Sequence, residues 1–306
     1  MKAVITGATG AIGMALVELL EKNRIETLVL CRASSSRASR IKESEYIKKA
    51  DCSLSDMKNF SADEKYDVFF HFAWDGTFGE SRDDLYLQSD NVRYTLDAVN
   101  LAKRLGCKRF IGAGSQAEYG RCEGIISPET ATAPTMGYGI AKLAAGLLSR
   151  EEAHKIGIEH IWVRILSVYG PYDTDRTMVM STVRKLLSGE TAMFTPAEQM
   201  WDYIYSKDAA RAFLGLAQKG RDGEIYCLGS GKAMPLKDYI NIIKDEIGTG
   251  ELAIGAMPYN PKQTMHLEAD ISKLTEHTGF VPNYSFREGI RETVAFAKED
   301  NSIILQ

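Results

Sequence analysis

Cysteine is scarce in this 306-residue chain: there are five, and Cys31, Cys52, Cys107, Cys122 and Cys227 lie far apart. None forms a CxxC pair or has histidines at metal-ligand spacing, which argues against a disulfide framework and against a zinc site. They read as reduced, mostly buried thiols, and no metal is expected. Positive charge is not in excess either, the formal net charge being −4, so wholesale binding of nucleic acid is disfavoured. Long apolar runs are missing: residues 28–31 and 68–70 fall well short of the roughly 20 needed to span a bilayer. The glycines from Gly7 to Gly13 interrupt the apolar start where a signal peptide would continue. A cytoplasmic protein with no membrane partner is expected. Internal repeats and low-complexity linkers are absent as well.

What is present is ordinary globular material, 44% hydrophobic and 25% charged. Short β-rich runs at 2–6, 26–31, 66–72, 108–113 and 159–166 alternate with helical patterns at 11–22, 85–105 and 138–155. That alternation predicts an α/β protein with a Rossmann-type, doubly wound parallel sheet. Past Tyr169-Gly170-Pro171 the alternation becomes less regular, with shorter segments at 178–187 and 236–246. Residues 1–168 are therefore assigned to a dinucleotide-binding domain and 169–306 mainly to a smaller substrate-binding lobe, with a return of about 200–228 to the first domain left open.

The sharpest local signal is Gly7-Ala8-Thr9-Gly10-Ala11-Ile12-Gly13, set between a predicted strand and a predicted helix. Glycine permits the sharp turn, lets backbone approach a pyrophosphate, and lets helix pack on strand; the helix N-terminus favours anionic oxygens. The spacing is GxxGxxG, and its strand-to-helix context gives it weight over a turn without a ligand. At the end of the second strand, where an acidic side chain would bind the adenosine ribose of NAD, the chain reads Cys31-Arg32-Ala33-Ser34-Ser35-Ser36-Arg37. Arg32 or Arg37, helped by Ser34, suits a 2′-phosphate. NADP is favoured, with NAD the alternative.

Tyr138 and Lys142 stand four residues apart on one face of a predicted helix. A free phenol has a pKa of about 10, and a nearby cation that stabilises phenolate eases proton exchange near neutral pH. Tyr138 is the expected general acid/base. Lys142 is expected also to bond the nicotinamide ribose, and Ser115, on the loop after the 108–113 strand, to bond the reacting oxygen. His71 reads as a hydrogen-bonded core residue, and the remaining histidines show no ligand spacing.

With these residues in place, the chain resembles the extended short-chain dehydrogenases/reductases of the NAD-dependent epimerase/dehydratase group. Gly7 to Gly13, Asp51 after the third strand, His71-Phe72-Ala73, Asn91, Ser115, Tyr138/Lys142 and Tyr169-Gly170-Pro171 carry the likeness, as do residues 269–273 and 279–282. The resemblance implies cofactor contacts from Asp51, Cys52, Phe72, Ala73 and Asn91 beside the glycine turn. It also implies a nucleotide-sugar substrate whose C4 lies between Tyr138 and the nicotinamide, and a homodimer built on the helices 85–105 and 138–155. Trp74, Thr77, Gln116, Ser167, Met178 and Trp201 are the candidate substrate contacts.

Departures from the group narrow the chemistry. Its 4,6-dehydratases carry an Asp-Glu acid/base pair directly after the hydroxyl residue, where this chain has Gln116 and Ala117; dehydration is disfavoured. Two readings remain. One is an NADP-dependent reductase of a nucleotide-linked 4-keto-6-deoxyhexose, which Arg32 favours; the other is a 4-epimerase with bound NAD. A reading of another class is a non-catalytic dinucleotide-binding sensor. Familiar epimerases place an Arg for substrate phosphate before an Asp-Tyr-Ile run; here Trp201 precedes Asp202-Tyr203-Ile204, and either stacks on a sugar or base or packs in the interior.

Overall fold

A computed structural model describes residues 1–261 and 263–304, with side chains through 300. Seven parallel strands form the central sheet. In chain order they begin with β1 (Ala3–Thr6), β2 (Thr27–Cys31), β3 (Ile47–Asp51), β4 (Val68–His71) and β5 (Arg109–Ser115), followed by Glu159–Ile165 and Ile225–Leu228. From one edge to the other the order is Ile225–Leu228, Glu159–Ile165, β5, β4, β1, β2, β3. The winding reverses at β1, which pairs with β2 on one side and β4 on the other. In such sheets the crevice beyond the carboxyl ends of the strands at the reversal binds ligands.

All four residues of both β1 and β4 are buried, as expected of inner parallel strands covered on both faces. On one face α1 (Ala11–Lys22) directs Met14, Leu16, Val17 and Leu20 into a core with Val29 and Phe70. On the other, α2 (Leu85–Arg104) buries Ala98, Val99, Leu101 and Ala102 against Phe69 and Phe110, and α3 (Gly137–Ile156) packs beside it. Helix α3 stops at Gly157, which takes the left-handed conformation at φ 69° that glycine adopts without a Cβ clash.

The chain crosses between the lobes more often than a single boundary at 168 allows. Gly124–Ile126, from inside the first assigned domain, pairs with His266–Ala269 in a four-stranded sheet completed by Met200–Trp201 and Met234–Pro235. Conversely, Ile225–Leu228 pairs with Glu159–Ile165, and the helix Ser206–Lys219 packs on α1. Asp202 joins the two parts: its buried carboxylate accepts hydrogen bonds from the Ser230, Gly231 and Ala269 backbone N–H groups at 2.8, 3.0 and 3.1 Å. The rest of the second lobe packs helices Met178–Leu187, Leu236–Ile247 and Phe286–Ile304 around Val183, Leu186, Ile243 and Ile290.

Candidate active site

The turn after β1 has no room for side chains on its inner side. Gly7 is at φ +73°, and a Cβ there would come within 2.4 Å of the Ala73 nitrogen; one on Gly13 would come within 2.5 Å of the Gly7 oxygen. A Cβ on Gly10 would meet nothing within 4 Å, and Gly10 caps α1 without a side-chain hydrogen bond. The first-turn N–H groups of the helix are thus left for an outside acceptor. A cleft of about 430 Å³ opens here, and Gly7, Thr9, Gly10, Ala11, Arg32, Arg37, Cys52, Phe72, Ala73, Trp74 and Thr77 are among the residues that line it. This glycine cradle, with no side chain between backbone N–H groups and open space, fits a dinucleotide pyrophosphate.

Several expected cofactor contacts have other work. Asn91 is buried: its Oδ1 accepts from the Asp75 N–H at 2.9 Å, and its Nδ2 donates to the Asp75 and Leu87 carbonyls at 2.9 and 3.0 Å. It holds the loop after β4 in shape with both amide hydrogens, and its Oδ1 keeps one lone pair beyond the Asp75 bond. Asp51 accepts from the Ala33 N–H at 2.8 Å, fixing the turn that carries Arg32. Ser35 lines the cleft where Ser34 was expected; Ser34 is not among the lining residues. Ile12 and Gly13 lie in the first turn of α1, below the cleft wall.

The candidate reacting groups Ser115, Tyr138 and Lys142 lie where α3 runs close to β5. A Cβ on Gly139 would sit 2.4 Å from the Ala117 oxygen, and one on Gly146 2.7 Å from the Trp162 ring. Both glycines let α3 approach this closely, which sets the Tyr138 phenol on the side of the Ser115 hydroxyl. Burial raises the Tyr138 pKa; the nearby Ser115 hydroxyl and the Arg82 charge oppose the rise, and the Glu118 charge adds to it. Lys142 is 4% exposed. Its ammonium donates to the Ala113 carbonyl at 2.7 Å and lies 3.7 Å from the centre of the Trp74 ring. Burial pushes it down to about 7, against the pull of Glu118. It is 5.8 Å from the Tyr138 ring centre, whereas the Arg82 guanidinium is 4.4 Å away.

His71 bonds Thr6 Oγ1 at 2.8 Å and lies 3.4 Å from Thr95 Oγ1, and burial holds its pKa down at about 3. It is a neutral core residue. Among the described residues no group of three or more His, Cys, Asp or Glu is placed to hold a metal ion.

Behind Ser115 lies a buried charged cluster that sequence reasoning passed over. Glu118 Oε1 accepts from the Ser115 N–H at 2.8 Å and from Trp162 Nε1 at 3.0 Å, while Oε2 accepts from Arg164 Nε at 2.8 Å. Its signal was present in the sequence: Ser115-x-x-Glu118 has capping-box spacing, and the box forms on the turn Gln116–Tyr119. Gln116 itself starts that turn, half-buried.

On the second lobe, Trp201 Nε1 donates to Ser167 Oγ at 2.9 Å and its carbonyl accepts from the Tyr239 hydroxyl at 2.8 Å. Two of the candidate substrate residues are therefore tied to each other. Met178, the first residue of its helix, packs beside Phe194, Tyr203 and Phe286.

The profile of the NAD dependent epimerase/dehydratase family matches residues 3–229. The chain is 24% identical over 243 residues to a dTDP-glucose 4,6-dehydratase of Streptomyces niveus, covering 78% of this chain and 71% of that protein. Its fold is similar to that of the UDP-glucose 4-epimerase of Thermotoga maritima solved with UDP-glucose, with TM-score 0.87, 23% identity, and 98% and 100% of the two chains covered. A UDP-glucuronic acid 4-epimerase of Bacillus cereus, solved with NAD, matches at TM-score 0.85 and 20% identity, covering 98% of this chain and 97% of that one.

Proposed function

Since this enzyme belongs to the NAD-dependent epimerase/dehydratase family, we propose that it is an NADP-dependent reductase of a nucleotide-linked 4-keto-6-deoxyhexose. The observation that carries this reading is at the adenosine end of the cleft. Arg32 and Arg37 line it, and the carboxylate of Asp51 is engaged by the Ala33 N–H, so a 2′-phosphate would meet cations there. Gln116 and Ala117 follow Ser115, and neither side chain can serve as the acid/base pair of an elimination.

In this reading the glycine turn, Phe72 and Ala73 hold the cofactor, which when bound supplies the hydride. Ser115 holds the sugar's C4 oxygen beside the Tyr138 hydroxyl, which donates the proton as the carbonyl becomes an alcohol. Lys142 supplies a buried ammonium for the ribose hydroxyls. Trp74, Thr77 and the Trp201/Ser167 pair are the sides against which the sugar nucleotide is held.

The test is stoichiometry: with a nucleotide-linked 4-keto-6-deoxyhexose, one NADPH should be oxidised per sugar reduced. Interconversion of two sugar nucleotides without net cofactor use would favour 4-epimerisation with retained NAD. That second reading is supported by the fold's similarity to the UDP-glucose and UDP-glucuronic acid 4-epimerases. Arg32→Ala should weaken NADP binding by about 10- to 100-fold, the worth of a charge-assisted hydrogen bond, and leave NAD binding unchanged; equal effects on both in titration would sink the NADP preference.

A homodimer is proposed on α2 and α3. Leu85, Tyr86, Ile140, Leu147 and Leu148 on these helices are large apolar side chains exposed by 63, 89, 51, 43 and 48%, apolar surface that a second copy would cover. Sedimentation should give twice the chain mass, and Leu147→Glu with Leu148→Glu should give the monomer; a monomeric parent would overturn it.

A further inference from the structure

The loop before α2 is fastened to the start of the helix that carries Tyr138. Helix α3 has no side-chain cap of its own from Met136; Asp83 Oδ1 accepts from the Gly137 N–H at 3.0 Å instead. The close approach is built in, since a Cβ on Gly137 would lie 3.0 Å from the Arg82 oxygen. Two consecutive residues thus engage two consecutive residues: Asp83 holds Gly137, and Arg82 covers Tyr138 with its guanidinium 4.4 Å from the ring centre.

The Arg82 charge is not spent on a carboxylate. Among the described residues it has no ion pair; its one hydrogen bond goes to Met136 Sδ at 3.4 Å, and its buried Nε has no partner. Lys142, by contrast, is turned to the Ala113 carbonyl and the Trp74 ring. We propose that Arg82 is a positioning residue of the active site, the cation that holds the Tyr138 ring in place and favours its phenolate over its phenol. The proposal rests on the reading of Tyr138 as the acid/base.

The groups facing Tyr138 are Arg82 and Asp83 from this loop, Ser115 and Glu118 from the β5 turn, Trp74 from the loop after β4, and Lys142 from its own helix. Arg82 is the cation that lowers the phenol's pKa, and Glu118 the carboxylate that raises it. A cation stabilises the charged phenolate and leaves the neutral phenol unaffected, so its removal moves the titration to higher pH. The sign is the same whether the enzyme oxidises or reduces: both the limb where phenolate must form and the limb where phenol must persist move upward.

The experiment compares Arg82→Gln and Arg82→Lys with the parent in two ways. One is the pH profile of kcat/KM. The other, which needs no turnover, is the ultraviolet titration of the Tyr138 phenol, obtained by subtracting the spectrum of the matched Tyr138→Phe protein from each. Arg82→Gln should raise the limb and the titration by about one pH unit or more, as loss of an adjacent opposite charge does, and Arg82→Lys should recover part of the shift. An Arg82→Gln protein whose phenol titrates where the parent's does overturns the proposal, whatever its activity. Full activity in Tyr138→Phe would instead overturn the acid/base reading, leaving the titration shift to report on Arg82 by itself.

Discussion

Tyr138→Phe should lower kcat by about 10²- to 10⁴-fold, the usual worth of a positioned acid/base, and leave cofactor binding as it was. The asymmetry follows from what the substitution removes. The ring keeps its edge-on contact with Trp74, at 6.1 Å and 80°, and its place under Arg82. The hydroxyl alone is lost, and with it the only proton that the phenol can exchange. Neither neighbour substitutes for it. The Ser115 hydroxyl is far too weak an acid, and the Lys142 ammonium is directed at Ala113. Stopped-flow turnover and equilibrium cofactor titration of the same preparation separate the two effects. Near-normal turnover in the Phe variant would remove Tyr138 from the chemistry.

Glu118→Ala should destabilise the fold by about 3–5 kcal/mol, the cost of breaking a buried ion pair from one side. The Glu118 and Arg164 side chains are 1% and 5% exposed, so solvent offers the stranded guanidinium little relief. Arg164 keeps a bond to the Pro128 carbonyl at 3.2 Å and a place 4.6 Å from the Tyr119 ring centre, but neither carries a negative charge. The Ser115 and Trp162 N–H groups lose their acceptor at the same time. Because one of these anchors Ser115, which the proposed reaction uses to hold the C4 oxygen, turnover should fall even at temperatures where the variant is folded. Glu118→Leu combined with Arg164→Met should recover most of the stability, since a well-packed apolar pair avoids the desolvation of two charges. Thermal unfolding of the three variants tests this. A loss below about 1 kcal/mol in Glu118→Ala would place the pair with solvent-screened surface bridges.

Local rules found those parts of the molecule whose partners are close in sequence. The helix predicted at 11–22 appears as Ala11–Lys22, because a single amphipathic face defines it. Within the stretch of about 200–228, a strand, Tyr203–Tyr205, precedes a helix, Ser206–Lys219. The strand forms because it pairs with Ser167–Tyr169, a partner that no local window contains. Asn91 carries a structural duty that its residue type did not announce: three backbone bonds from its amide shape the loop after β4.

By itself the sequence determined the doubly wound sheet, the glycine cradle and the Tyr138/Lys142 face, because each depends on a period or spacing within one strand, turn or helix. Tertiary structure alone decided which cation attends the phenol. Lys142 shares a helix with Tyr138, yet its ammonium is drawn away by the Ala113 carbonyl and the Trp74 ring, while Arg82 arrives from another loop. It decided likewise that Gly124–Ile126 belongs to the small sheet and Ile225–Leu228 to the large one. The reason is the same in each case. A charge or a strand edge is satisfied by whatever the fold brings within a few ångströms, and that distance bears no relation to separation along the chain.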